Sequence, residues 1–292
     1  MSGRTSAPRG PDQSPPRPRA ARQPGRGAAS VLHTGPMRIE TASLPGTRDV
    51  PNEDFVAVAL PASGTGGALV LLDGVTPPPD NGGCVHSVPW FTARLGGALL
   101  ELSVSRRDMD LGACLSAAIS RTADAHRDTC DLSHPLTPQA TVVAVRWDTG
   151  WVEHLVLSDS VLLMEAPDGT PRAVLDDRID RLRAARVRVA PLRNLEGGFF
   201  TAAADPAVTS RAVTGRTPRS AVRALAALTD GAARAVEKFQ VDDWESTFAL
   251  LRKAGPERLL ARVRSLEDAD PAGEAFPRGK PYDDATAVLV EL

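Results

Sequence analysis

Five acidic clusters follow one another along the 292-residue chain, each at one end of a short apolar run: Asn52-Glu53-Asp54, Asp73-Gly74, Ser158-Asp159-Ser160, Asp230-Gly231 and Asp283-Asp284. A buried carboxylate costs several kcal/mol unless something pairs it, so carboxylates set repeatedly beside buried strands call for a shared counter-charge. A hard divalent cation is the natural one. In Leu69-Val-Leu-Leu-Asp73-Gly74 a strand would deliver the carboxylate, and the glycine would let backbone approach closely and offer its carbonyl as a further ligand. One such carboxylate can bridge two ions about 3.5–4 Å apart, an arrangement that lowers the pKa of a shared water and faces a phosphoryl oxygen. The chemistry implied is hydrolysis without a side-chain nucleophile.

Taken singly, each cluster has a plainer reading. Asp-Gly is a common turn, Asp230 can cap a helix beginning at Gly231, and Asp283-Asp284 can be the turn before a final strand. Other donors are scarce. The three cysteines, Cys84, Cys114 and Cys130, contain no CxxC pair, and the five histidines show no HExxH spacing. That pattern supports neither a disulfide framework nor a structural zinc site; it reads as reduced core thiols, with any metal held by oxygen. His86 can be a proton donor near Asp73-Gly74, or an imidazole satisfied in place. Ser160 lacks the G-x-S-x-G elbow of a nucleophile. Leu71 stands where a haloacid-dehalogenase-type phosphatase needs its nucleophilic aspartate, and no EF-hand spacing supports a single structural calcium.

The elements that must position these residues are short. Strands are expected over Phe55–Leu60, Ala68–Leu72, Thr141–Trp147, Val152–Leu157, Val161–Met164, Arg172–Leu175, Val222–Leu228 and Ala285–Leu292, with Asp168-Gly169 closing a hairpin. Helices are expected over Trp90–Ser103, Leu111–Asp128, Asp177–Val187, Gly231–Phe239, Asp243–Lys253 and Pro256–Asp268. In the second of these, Leu115, Ala118, Ile119 and Thr122 share one face. Strands mixed with helix pairs, without strict alternation, imply an α+β fold with antiparallel pairing, and the closing strand must pair inside a sheet.

Residues 1–36 hold seven Pro and six Arg with few bulky apolar residues, which reads as a disordered tail. Met37 opens the first folded-looking stretch, so 37–292 is the expected domain. The formal charge of −2 divides into a basic tail and an acidic body with 28 Lys+Arg against 35 Asp+Glu. An acidic body argues against a nucleic-acid binder. No apolar run approaches a membrane span and no signal peptide is visible, so a cytoplasmic protein without membrane partners is expected. The 31 Arg against 3 Lys point by association to a GC-rich bacterial gene.

In their order, Asn52-Glu53-Asp54-Phe55, Asp73-Gly74, Gln139-Ala140-Thr141, Ser158-Asp159-Ser160, Thr229-Asp230-Gly231 and Asp283-Asp284-Ala285-Thr286 resemble the motifs of the metal-dependent type 2C serine/threonine phosphatases, over about residues 37–292. The resemblance implies a four-layer α-β-β-α sandwich of two antiparallel sheets flanked by helices, with two Mn²⁺ or Mg²⁺ ions and a possible third in a cleft at one edge. It implies that Asp73 bridges the ions, that Gly74 offers its carbonyl, that Asp230 and Asp283 complete one ion's shell, and that Glu53 and Asp54 bind or orient metal-bound water. Asp159 would sit near the third ion, and Arg48 would bind phosphate. The implied activity is hydrolysis of phosphoserine or phosphothreonine in proteins by a metal-bridging hydroxide, opposing a cognate Ser/Thr kinase. The alternative is a weak or inactive pseudophosphatase acting as a regulatory or partner-binding module. Departures from the family pattern motivate that alternative. Val75-Thr76-Pro77-Pro78-Pro79-Asp80-Asn81 separates Asp73-Gly74 from Gly82-Gly83, which should reshape the cleft rim; Ser158 replaces the usual glycine, Val161 follows Ser160 where a polar or basic residue is common, and Arg48 is one residue out of register.

Overall fold

Among the described residues ten strands, rich in leucine, valine and alanine, pair into two sheets, and in four of these strands every residue is buried. The computed structural model describes residue 3 and residues 37–77 and 83–292. The expected tail over 1–36, except residue 3, and most of the proline-rich rim, from residue 78 to residue 82, lie outside the described residues. From residue 37 onward the described residues fall in one compact unit.

The first sheet contains β1 (Arg38–Leu44), β10 (Ala285–Glu291), β9 (Ala224–Leu228), β6 (Val161–Glu165) and β7 (Pro171–Val174), in that spatial order. The second contains β2 (Phe55–Ala59), β3 (Gly67–Leu72), β4 (Val142–Trp147), β5 (Trp151–Leu157) and β8 (Val213–Pro218). Every pairing is antiparallel. Because successive side chains on a strand point to opposite faces, each central strand divides its apolar residues between two layers. Leu69 and Leu71 of β3 meet Val288 and Val290 of β10 between the sheets, while Val70 and Leu72 face helices. Burial on both faces explains why these strands read as continuous apolar runs rather than alternating ones.

Helices α1 (Val88–Ser105) and α2 (Leu111–Asp124) cover the second sheet, and α4 (Asp230–Glu237) and α5 (Trp244–Ala269) cover the first. The architecture is the expected sandwich of two antiparallel sheets flanked by helices. The short α3 (Arg178–Ala184) buries only Ile179. Leu115, Ala118, Ile119 and Thr122 are all buried along α2, as their spacing predicts. Gly255, at φ 79° and ψ 169°, breaks α5 before Pro256, so the two helices expected there abut end to end. Two strands were not foreseen, β1 and β8. Both lie at sheet edges, mix polar with apolar residues, and β8 carries Gly215 and ends in Pro218. As expected, the closing strand β10 pairs inside its sheet, between β1 and β9.

Register places the chemistry. Phe55 opposes Leu72, Val142 opposes Leu157, Leu228 opposes both Val161 and Ala287, and each pair sits at, or within two residues of, the point where its strands begin or end. The starts of β2, β6 and β10 and the ends of β3, β5 and β9 therefore share one end of their sheets, and all five acidic clusters attach there.

Candidate metal centre

Asp73 follows the last residue of β3 and is held from several sides. Its backbone N–H donates to Thr141 Oγ1 at 3.2 Å, and its carbonyl accepts from the Thr141 N–H at 2.9 Å. Thr141 Oγ1 in turn shares a 2.5 Å hydrogen bond with Ser160 Oγ. The Asp230 N–H, in the first turn of α4, points at Asp73 Oδ2 at 3.4 Å, bringing the positive end of that helix to the carboxylate. Gly74 and Gly231 make the convergence possible. A Cβ on Gly74 would stand 2.5 Å from the Glu53 carbonyl, and one on Gly231 would stand 1.9 Å from the Asp284 carbonyl. No side chain fits at either position, which gives the two Asp-Gly pairs a physical reason beyond turn formation.

Asp54 accepts hydrogen bonds from Thr286 Oγ1 at 2.7 Å and Thr229 Oγ1 at 3.2 Å, both on Oδ2; its Oδ1 is a buried atom without a partner among the described residues. Burial, then Thr286 acting in the opposite sense and the Asp284 and Asp230 charges, leaves the Asp54 carboxyl pushed up to about 8. Asp73 is raised well above the usual carboxylate range by burial and then by Asp54, Asp230 and Asp283. Asp230 is raised by burial and by Asp159, against the lowering effect of Arg234. None of Asp54, Asp73 and Asp230 forms an ion pair among the described residues. Glu53 is raised by burial, partly offset by its hydrogen bond from Thr76. Asp284 has a backbone role, accepting from the Gly46 and Glu53 N–H groups at 2.7 Å each.

Asp283 differs from these. Arg234 donates to its Oδ2 at 2.9 Å and Lys280 Nζ to its Oδ1 at 2.7 Å, so two cations already neutralise it. Arg234 also pairs with the fully buried Glu267 at 2.5 Å, and Lys280 bonds Thr76 Oγ1 at 2.8 Å. Asp159 lies 3.6 Å from Arg183 across the mouth. Ser158, in the glycine position before it, takes φ 70°, the left-handed region that explains a glycine preference; its N–H bonds Asp176 Oδ2 at 2.9 Å and its hydroxyl bonds Asp159 at 3.2 Å. Serine is accommodated by these local bonds.

Asp73, Gly74, Asp159, Asp230 and Asp283 line one cleft of about 510 Å³, together with Arg183, Arg193, Lys238 and Lys280. Arg48 is exposed and does not line it, so the structure does not bring that residue to the carboxylates. Sequence reasoning missed the cations that do, because Arg193 sits in an irregular segment and Lys280 in a loop with no motif around it. A larger depression of about 1140 Å³ surrounds Asp110, Arg146 and Trp151. Its Arg146 and Glu153 pair with each other at 2.7 Å.

Two findings test whether divalent ions suit the cleft. Among the described residues Asp54 Oδ1 has no hydrogen-bond partner and the cleft-lining Asp73 and Asp230 carboxylates have no ion-pair partner, so all are hard oxygen donors lacking positive charge, although Asp54 does not itself line the cleft. These carboxylates do not crowd into a closed shell, since among the described residues only a separate Cys/His group brings three or more such ligand atoms within 4.8 Å of one another. Mg²⁺ keeps several waters and takes few carboxylates, so that spacing fits a partly hydrated hard ion.

Neither a protein-family model nor a curated protein matches the sequence. Solved structures do match the fold. The serine/threonine phosphatase Stp1 from Staphylococcus aureus superposes with a TM-score of 0.59 at 12% identity, covering 88% of this chain and 95% of that one. This is the type 2C phosphatase fold. The Mycobacterium tuberculosis serine/threonine phosphatase PstP matches at 17% identity and TM-score 0.57 over 88% of this chain and 98% of its own. A PstP catalytic domain in complex with 2 manganese ions matches at 19% identity and TM-score 0.54, covering 87% and 97%.

Proposed function

We propose that the chain is a Mn²⁺- or Mg²⁺-dependent phosphomonoester hydrolase acting on phosphoserine or phosphothreonine in proteins. One observation carries this reading: Asp54, Asp73 and Asp230 sit half-buried at the shared strand end, raised in pKa, and without an ion-pair partner among the described residues. The fold likeness to bacterial serine/threonine phosphatases supports the reaction class.

Asp73, Asp230 and Asp54, with the Gly74 carbonyl, would hold the ions, and Glu53 would orient water beside them. Bound divalent ions supply a water of lowered pKa and neutralise charge on a phosphoryl group. The chain's own part is to hold the carboxylates rigidly. Thr229 and Thr286 fix Asp54, Thr141 and the Asp230 amide fix Asp73, and Asp159 would border a third ion. Preorganised groups of this kind need not rearrange as charge develops, which is the main source of electrostatic catalysis. In place of Arg48, the substrate phosphate would meet Arg193 and Lys238, the cleft cations without an ion-pair partner among the described residues. Arg193 lies over the Phe199 ring at 5.6 Å with its Nε unpartnered among the described residues.

A second reading rests on Asp283. A carboxylate already bound by Arg234 and Lys280 is a poor ligand for a cation, and loss of one ion would leave a weak or inactive pseudophosphatase serving as a regulatory or partner-binding module. Hydrolysis of p-nitrophenyl phosphate and of a phosphothreonine peptide separates the two. Manganese-dependent turnover that EDTA removes is the expected result for the enzyme; no turnover at any manganese concentration sinks it and leaves the binding module. A phosphoprotein substrate and a cognate Ser/Thr kinase in the cytoplasm belong to this proposal. No helix among the described residues is long and apolar enough to cross a membrane.

A further inference from the structure

Cys84 and His86 stand just before Ser87, the N-cap of α1, while His126 and Cys130 lie in the turns that follow α2. The fold brings their four ligand atoms within 4.8 Å of one another. Cys84 Sγ is 3.4 Å from His126 Nδ1 and 3.7 Å from His86 Nδ1, and His86 Nδ1 is 3.3 Å from Cys130 Sγ. Zinc bonds of about 2.0–2.1 Å to nitrogen and about 2.3 Å to sulfur place tetrahedral ligand atoms about 3.3–3.8 Å apart, the range of those three separations. The fourth, Cys84 Sγ to Cys130 Sγ, is 3.0 Å, too long for the about 2.05 Å of a disulfide and short of the tetrahedral value by less than about 1 Å.

We propose that Cys84, His86, His126 and Cys130 bind one structural zinc ion. Two thiols and two imidazoles turn to one point in a half-buried pocket, each able to offer a sulfur or nitrogen lone pair. Their softness selects zinc over the hard ions suited to the carboxylate cleft, and four protein ligands close the shell, as in structural rather than catalytic sites. The surroundings match a second layer of support. Trp90 stacks on His86 with centroids 4.0 Å apart and stands 5.2 Å from the buried His126, and the His86 N–H points at Cys84 Sγ at 3.4 Å. Asp131 N–H bonds the Gly83 carbonyl at 2.7 Å, tying the same two segments together. The ion would pin the chain entering α1 to the exit of α2. Because Val88 of α1 packs at Gly74, this clamp steadies one wall of the carboxylate cleft without belonging to it. Cys114 is excluded from the site, being buried among the residues beneath α2. The sequence spacing, C-x-H followed 40 residues after His86 by H-x₃-C, is thus a ligand set that the expectation of core thiols and oxygen-only metal binding overlooked.

The test is metal analysis of the purified full chain, with zinc and cobalt as the probes. One zinc per chain is expected in the natural protein, in Asp73→Asn and in Cys114→Ser, and none in Cys84→Ser or Cys130→Ser. Cobalt exchanged into the natural protein should give intense sulfur-to-metal charge-transfer absorption with tetrahedral ligand-field bands, which oxygen ligation in the cleft cannot produce. This readout stands even if the cysteine variants fail to fold. The proposal is overturned if the natural chain takes up neither metal with that spectrum, or if zinc persists in Cys84→Ser.

Discussion

Asp283 concentrates the chemistry that remains to be measured on single residues. If Lys280 and Arg234 compete with a cation for its carboxylate, Lys280→Gln should tighten manganese binding about tenfold, one opposing charge near an ion being worth about 1.4 kcal/mol or more at this depth. Calorimetric titration of manganese into both proteins checks it, and unchanged affinity would show that Lys280 does not oppose the ion. Arg234 is a different case, because its removal takes one of two guanidinium partners from the fully buried Glu267, leaving Arg264, and one of two cations from Asp283. Arg234→Met should cost about 3 kcal/mol in urea unfolding, while Asp73→Asn should abolish hydrolysis and leave the unfolding midpoint of the ion-free protein unchanged or higher, since it removes a charge that is costly to bury. Full activity in Asp73→Asn would refute the assignment of that carboxylate.

Glycine usage separates positions of equal composition at the scale of elements. Gly255 holds a backbone conformation open almost only to glycine, and a Cβ there would meet Glu40 Oε2 at 2.6 Å. Gly255→Ala should therefore destabilise by about 2 kcal/mol. Gly97 sits on the exposed face of α1, where a Cβ meets nothing within 4 Å, and Gly97→Ala should stabilise by about 0.5–1 kcal/mol. Equal effects in thermal unfolding would contradict the break assigned to α5. The break itself was legible, since Gly255-Pro256 punctuates an otherwise periodic stretch. Strands β1 and β8 were not, because an edge strand needs few apolar residues and shows its identity only through its partner, β10 for one and β5 for the other.

For the whole molecule, the carboxyls crowded at one end of the sandwich set the pH dependence of stability. Asp54 and Glu237 are both pushed up to about 8, chiefly by burial, from ordinary values near 4. Between those limits the folded chain keeps protons that the unfolded chain has released, so unfolding free energy falls as pH rises from about 4.5 to about 8. Melting temperatures of the chelator-treated protein should decline across that window. Added manganese should restore more stability at about pH 8 than at about pH 5, because binding requires the ionised carboxylates. A flat profile without manganese would remove the claim that these groups are held protonated. Glu237→Gln should flatten part of the decline while leaving the melting temperature near pH 5 unchanged.

The sequence by itself determined the central strands and the main helices, since burial on both faces forces continuous apolar runs such as Leu69–Leu72 and 3.6-residue spacing marks α2. It also determined the order of the acidic motifs, because a carboxylate beside a buried strand is costly enough to be conspicuous. Tertiary structure alone decided which charges meet. Arg234 and Asp283 lie 49 residues apart, Lys280 stands in a loop, and Arg48 falls outside the cleft despite its motif position. The same holds for Cys84, His86, His126 and Cys130, whose two halves are joined by the packing of α1 against α2 and by the Asp131–Gly83 backbone hydrogen bond. Electrostatic balance depends on distances of a few ångströms between residues remote in the chain, and those distances are fixed by register and helix packing rather than by local spacing.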